Sequence, residues 1–188
     1  MMKWPLRYCV VLSVALLAAC AGVGPPRGAE TAPPFELAGR IVVRYQESGF
    51  SSSIRWKQLE GRDEIWLTAP LGQTIARLEA DGSGATLTAS DQKQYRASSI
   101  ESLTKSAFGW RFPVDGLRYW VFGEAVPGAP PGSIERDDSK RISRLKQDDW
   151  QIAFNYPSAE ATRPSRLDIA GNDAQIRLAI DTLSRQAP

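Results

Sequence analysis

Every second residue of Trp150-Gln151-Ile152-Ala153-Phe154-Asn155-Tyr156 is large and apolar, the cleanest alternation in the chain. Successive side chains of a strand point to opposite faces, so this pattern asks for one face on a core and one in water. Antiparallel sheets meet that demand, whereas buried parallel strands read as unbroken apolar runs. The same period recurs in Phe35, Leu37, Ile41, Val43 and Tyr45, set against Glu36, Arg40 and Arg44, and again in Ile54-Arg55-Trp56-Lys57. Ile65 and Leu67 alternate with Glu64 and Thr68, although Trp66 interrupts the polar side. Residues 74–80, 85–89 and 93–97 read as further short strands, with Gly82-Ser83-Gly84 as a hairpin turn. Leu167 and Ile169, the turn Gly171-Asn172-Asp173, and Ile176, Leu178 and Ile180 form a last hairpin.

Between these runs the period becomes helical. Ser98-Ser99-Ile100-Glu101 has the form of a capping box, and Ile100, Leu103, Ala107 and Phe108 follow at helical spacing up to Gly109. Pro113 opens a second short helical turn with Leu117, Trp120 and Val121, stopped by Gly123. Residues 125–133 hold three prolines and two glycines and read as a loop. About ten strands with one helical interruption predict a mainly β fold. The expected form is a strongly curved antiparallel sheet or a partly closed barrel, with the central helix placed to cover its open side. The inward set comprises Trp56, Ile65, Leu67, Leu87, Trp150, Ile152 and Phe154, with Leu103 and Trp120 from the helical segment. Periodicity allows two outcomes: these side chains line a cavity for an apolar ligand, or they pack solidly against the lid.

The first nineteen residues carry a different signal. Lys3 and Arg7 precede an apolar run from Val10 to Leu17, and Leu17-Ala18-Ala19-Cys20 has the form of a lipobox, in which the thiol of Cys20 is acylated after export. The alternative is an ordinary secretory signal with a chance cysteine. The run falls short of the about 20 residues that span a bilayer. The expected organisation is a signal peptide over 1–19, a lipidated N-terminus and tether over 20–34, and a single domain over 35–188. Gly24-Pro25-Pro26 and Pro33-Pro34 stiffen the tether locally. Without Lys3 and Arg7 the chain keeps 21 basic and 21 acidic residues, so no basic excess points to nucleic acid.

There is no histidine, and Cys9 leaves with the signal. That removes the commonest general base and metal ligand, and with them Cys–His and Ser–His–Asp chemistry. The adjacent carboxylates Asp63-Glu64, Asp137-Asp138 and Asp148-Asp149 are expected as solvated turn residues; neighbours on a strand cannot converge on one site. No catalytic residue, metal or cofactor is expected, and the chain reads as a non-enzyme.

One turn departs from the usual chemistry. Ala69-Pro70-Leu71-Gly72-Gln73 joins two strand patterns and carries a large aliphatic residue at its tip. Proline followed two residues later by glycine suits a tight reversal with positive φ. Leu71 either folds back onto the core or projects. A projecting leucine on a lipid-anchored protein would dip into a membrane interface, gaining about 2 kcal/mol by burial. That anchors nothing, but suits a brief perturbation of the lipid surface.

The lipobox, the proline-rich tether, the Gly39-Arg40 strand and Leu67-Thr68-Ala69-Pro70-Leu71-Gly72-Gln73-Thr74 come in the order found in the LolB family of outer-membrane lipoprotein receptors. Leu117-Arg118-Tyr119-Trp120-Val121-Phe122-Gly123 adds to the resemblance, which runs from Phe35 to Leu183. It implies an open half-barrel with a helical lid over a cavity for acyl chains. It implies partners as well: a periplasmic carrier of the LolA type, acylated lipoproteins as cargo, and the outer-membrane phospholipid that receives them. Leu71 matches the protruding leucine used for insertion, flanked by Pro70 and Gly72. Ala21 rather than Asp after Cys20 fits sorting to the periplasmic face of the outer membrane. The chain is expected to act as a monomer. Its energetic purpose is clear, since a triacylated cysteine exposes roughly forty methylenes at about 0.8 kcal/mol each. Arg40, Arg44, Arg55 and Lys57 would steer an acidic carrier or simply form a solvated face. On the same architecture, a lipid-anchored binding protein for fatty acids is the alternative.

Overall fold

Burial alternates where the sequence alternates. In β1 (Phe35–Tyr45) Phe35, Leu37, Ile41 and Val43 are buried while Glu36, Arg40 and Arg44 face solvent. The strands β2 (Ser48–Leu59), β3 (Arg62–Thr68), β4 (Thr74–Asp81), β5 (Gly84–Ala89) and β6 (Gln94–Ala97) follow as an antiparallel meander. Two helices come next, α1 (Ile100–Phe108) and α2 (Val114–Trp120). A second meander then runs through β7 (Ser133–Arg136), β8 (Ile142–Gln147), β9 (Trp150–Asn155), β10 (Arg166–Gly171) and β11 (Ala174–Arg185). The computed structural model describes residues 32–171 and 174–185. The signal over 1–19, Cys20, most of the 20–34 tether, and Asn172 and Asp173 of the last hairpin turn lie outside them.

The long strand β11 pairs back onto β1 and fuses both meanders into one sheet of eleven strands, ordered β6-β5-β4-β3-β2-β1-β11-β10-β9-β8-β7. β6 and β7 stand at its two free edges, so the sheet curves without closing: an open half-barrel. Topology explains the lid. The chain leaves the sheet at one edge and re-enters at the other, and the intervening residues must cross a face of the sheet. That segment carries α1 and α2 onto the concave, apolar side. A bulge helps the curvature, because β1 and β11 shift register between Ala38 and Gly39. A Cβ on Gly39 would overlap the Ala179 carbonyl oxygen, so only glycine allows β11 so close.

Local signals place the helices with small shifts. Ser99, not Ser98, is the N-cap of α1, its hydroxyl accepting from Ser102 N at 3.1 Å. Glu101 then sits one residue short of the position from which it would reach back, so the predicted capping box is not formed. Gly109 ends α1 with φ 83°, as expected. α2 ends at Trp120; Gly123 closes the turn beyond it, donating to the Trp120 carbonyl. Eleven strands form where about ten were expected. Every residue of β7 is exposed, so an edge strand held only by backbone pairing to β8 shows no buried alternation. Ala32, placed in the tether by sequence, is buried.

Candidate functional site

The turn between β3 and β4 forms as its sequence requires. Gly72 N donates to the Ala69 carbonyl and Ala69 N to the Gln73 carbonyl, both at 2.8 Å, and Gly72 takes φ 84°. This geometry pushes Pro70 and Leu71 to the tip. Leu71 is 92% exposed, the most exposed large apolar side chain described, with Ile75 partly exposed just after it. Of the two alternatives for Leu71, it projects.

All nine residues of the predicted inward set are buried: Trp56, Ile65, Leu67, Leu87, Leu103, Trp120, Trp150, Ile152 and Phe154. They belong to one apolar cluster that joins the concave face to both helices. The space left in it is small. An apolar cavity of about 20 Å³ lies within it, walled by Ile41 of β1, Phe50 of β2, Ile65 and Leu67 of β3, and Leu78 of β4. Its roof is Thr104 and Phe108 of α1 with Trp110 and Phe112 of the following loop. Only Ile65 and Leu67 of the inward set touch it. Sequence reasoning missed Trp110 and Phe112, because periodicity stops at Gly109 and says nothing about where a loop packs. The cavity lies towards the end of the sheet that bears the Leu71 turn, where the β1–β2 hairpin also lies.

The opposite end of the covered face is polar. Asp63, expected as a solvated turn carboxylate, is 2% exposed. It shares the inward face of β3 with Ile65 and Leu67, and two partners make its burial tolerable. Trp56 Nε1 donates to its Oδ1 at 2.9 Å, and Arg118 of α2 pairs with its Oδ2. Arg118 also reaches Asp115 at 2.6 Å. Burial works against the guanidinium charge, but the hydrogen bond and charge of Asp63, with Asp115, prevail and raise the Arg118 pKa. A cleft of about 640 Å³ opens here, between the β2–β3 and β4–β5 turns, α2 and residues 126–129. Gln147, fully buried, fastens that loop. It accepts from Trp120 Nε1 and Val126 N and donates to the Val126 and Ala129 carbonyls.

α1 is held differently. Its side-chain hydrogen bonds among the described residues stay local: Thr104 Oγ1 accepts from Phe112 N at 2.9 Å, and Lys105 Nζ donates to the Gly109 carbonyl. None reaches the sheet. Apolar packing of Ile100 and Leu103 keeps α1 in place, and the Thr104 bond makes the Trp110–Phe112 loop part of the same body. Trp66, the residue that interrupted the polar side of β3, lies on the outer face under the Arg77 guanidinium at 5.5 Å. Arg40 pairs with Asp181 and Lys57 with Glu36 on that same outer surface. Among the described residues no helix is long and apolar enough to cross a membrane, and no cluster of metal-binding side chains occurs.

The family described as "Outer membrane lipoprotein LolB" matches residues 33–182. An outer-membrane lipoprotein LolB of Nitrosomonas europaea is 36% identical over 152 residues, covering 79% of this chain and 71% of its own. Another, from Thiobacillus denitrificans, is 34% identical over 181 residues, covering 94% and 96%. Among solved structures, a DUF1329 family protein of Desulfovibrio piger shares the fold with TM-score 0.50 at 6% identity, over 85% of this chain and 88% of that one.

Proposed function

We propose that this chain, which belongs to the LolB family of outer-membrane lipoproteins, accepts acylated lipoproteins from a periplasmic carrier of the LolA type and inserts them into the inner leaflet of the outer membrane. Family membership makes it a lipoprotein of the outer membrane and not an enzyme. In this reading Cys20 carries the lipid anchor on the periplasmic face, and residues 20–34 let a monomeric domain over 35–188 range between carrier and bilayer. Neither step draws on a cofactor. The observation that carries the reading is the placement of Leu71: an exposed leucine on a hydrogen-bonded turn, at the end of the sheet where the apolar cavity lies.

A cavity of about 20 Å³ has room for one water, whereas pockets for small ligands measure about 300 Å³ or more. Acceptance therefore requires α1 and the Trp110–Phe112 loop to lift. Because α1 touches the sheet through apolar contacts, incoming acyl chains replace each contact with one of the same kind. Trp56, Ile65, Leu67, Leu87, Leu103, Trp120, Trp150, Ile152 and Phe154 then supply the wall against which the chains lie. Leu71, set by Pro70 and Gly72, enters the lipid surface and eases release.

The test uses the chain lacking acylation, mixed with carrier loaded with one labelled lipoprotein, without ATP. The label is expected to move to this protein and then into added liposomes. With Leu71→Glu, acceptance should persist, insertion should fall tenfold or more, and Tm should stay unchanged. Failure to accept from a competent cognate carrier overturns the receptor reading. Binding of free fatty acids with no effect of Leu71→Glu would favour a fatty-acid binding protein instead.

A further inference from the structure

Trp110 is 3% exposed, and its indole nitrogen is buried with no hydrogen-bond partner among the described residues. An orphaned buried donor costs about 1–3 kcal/mol, and a phenylalanine ring would pack there without that cost. The surroundings exclude two ordinary remedies. The neighbouring rings, Tyr45, Phe50 and Phe112, have centroids 6.1 to 6.4 Å from that of the indole, the first two tilted against it and Phe112 edge-on. Thr104, the one hydroxyl on the cavity wall, is already engaged, accepting from Phe112 N and donating to the Glu101 carbonyl. A water in a space of about 20 Å³ would find the indole N–H and one spare lone pair of Thr104, short of the three partners usual for a buried water.

What fits a lone donor in an apolar cavity is a molecule that is apolar almost throughout and carries an isolated acceptor. Lipid acyl groups have this composition: a hydrocarbon chain ending in one ester or amide carbonyl. We propose that the Trp110 indole N–H donates to a carbonyl oxygen of the bound lipid and so fixes how deep the acyl chains sit. The assignment rests on the acyl-carrying reading above. It gives the site a chemical preference: acyl chains joined through a carbonyl over alkyl chains joined through an ether. Trp110 rides on the body that must lift, so the bond also favours closure of the lid over a seated chain.

The experiment compares 1,2-dioctanoylglycerol with its diether twin, 1,2-dioctylglycerol, binding to the whole mature chain with Cys20 unacylated. The two probes differ only in their carbonyls. One net hydrogen bond should make the diester bind about three- to tenfold more tightly. Trp110→Phe keeps an aromatic ring and removes the donor; it should erase the difference between the two probes. A second readout needs no folded variant. The indole ¹H–¹⁵N resonance of Trp110 in the native chain should move downfield with the diester and stay in place with the diether. Equal binding of both probes by the native chain, or a preference that survives Trp110→Phe, overturns the assignment while leaving the acyl cavity standing. Binding of neither probe overturns both.

Discussion

α1 and α2 cover the same concave face and are fastened by opposite means. α2 is locked: Arg118 pairs with the buried Asp63, and Trp120 donates to the buried Gln147. α1 rests on Ile100 and Leu103, with no described side-chain hydrogen bond to the sheet. The open volume is distributed the other way round, about 640 Å³ beside α2 and about 20 Å³ beneath α1 and its following loop. Size alone would put a lipid beside α2, in a cleft that offers apolar surface from Ile100, Val114 and Val126 but where an acyl chain would also strip water from Asp115, Arg118 and Arg62. The proposed function puts it under α1, where displaced and incoming surfaces are alike. Polar contacts hold one end of the lid and apolar contacts the other, the end that the proposed function requires to lift.

The contrast can be broken most forcefully at the lock. Asp63→Ala leaves Arg118 half-buried without its main partner and Trp56 Nε1 without an acceptor. Removing one partner of a buried pair costs about 3–5 kcal/mol, which for a domain of this size lowers Tm by roughly 10 °C in a thermal scan. A loss under about 1 kcal/mol would mean that α2 is no more fixed than α1. Thr104→Val acts on α1 itself. Its shape is nearly the same, but Phe112 N loses its acceptor, at about 1–3 kcal/mol in denaturant unfolding. Acyl-probe binding should change in that variant, since Trp110 and Phe112 no longer follow α1; an unaltered isotherm would separate the loop from the lid.

The smallest effect lies at Glu101 in the first turn of α1. Burial, reinforced by the nearby Asp115 charge, raises its pKa. The folded chain therefore holds this proton to higher pH than the unfolded chain, and stability declines as pH rises from the ordinary glutamate range through the raised value. Glu101→Gln should flatten the fall in Tm between pH 4 and 7. An identical pH profile would show that Glu101 is hydrated as freely as a surface carboxylate.

Much of this was legible in the sequence because strands of a half-barrel bury one face and reveal it by alternation. The Gly72 turn and the Gly109 cap were equally direct, since each needs a left-handed residue at one position. Asp63 was misread by residue type, although its place two before Ile65 and four before Leu67 put it on the inward face all along. What was illegible depended on tertiary contact. Nothing local says that Trp110 and Phe112, in a loop past a helix stop, roof the cavity. Nor can periodicity tell a lined cavity from a filled one: Trp56 and Leu87 look the same in either.

The most direct measurement is to load the native chain with a fatty-acyl probe carrying a terminal photoreactive group, irradiate it, and map the adducts by mass spectrometry. Adducts concentrated on Phe50, Leu67, Phe108 and Trp110 are the expected result. Adducts concentrated on Gln58, Arg118 and Val126 would place the lipid in the cleft beside α2 and contradict the account.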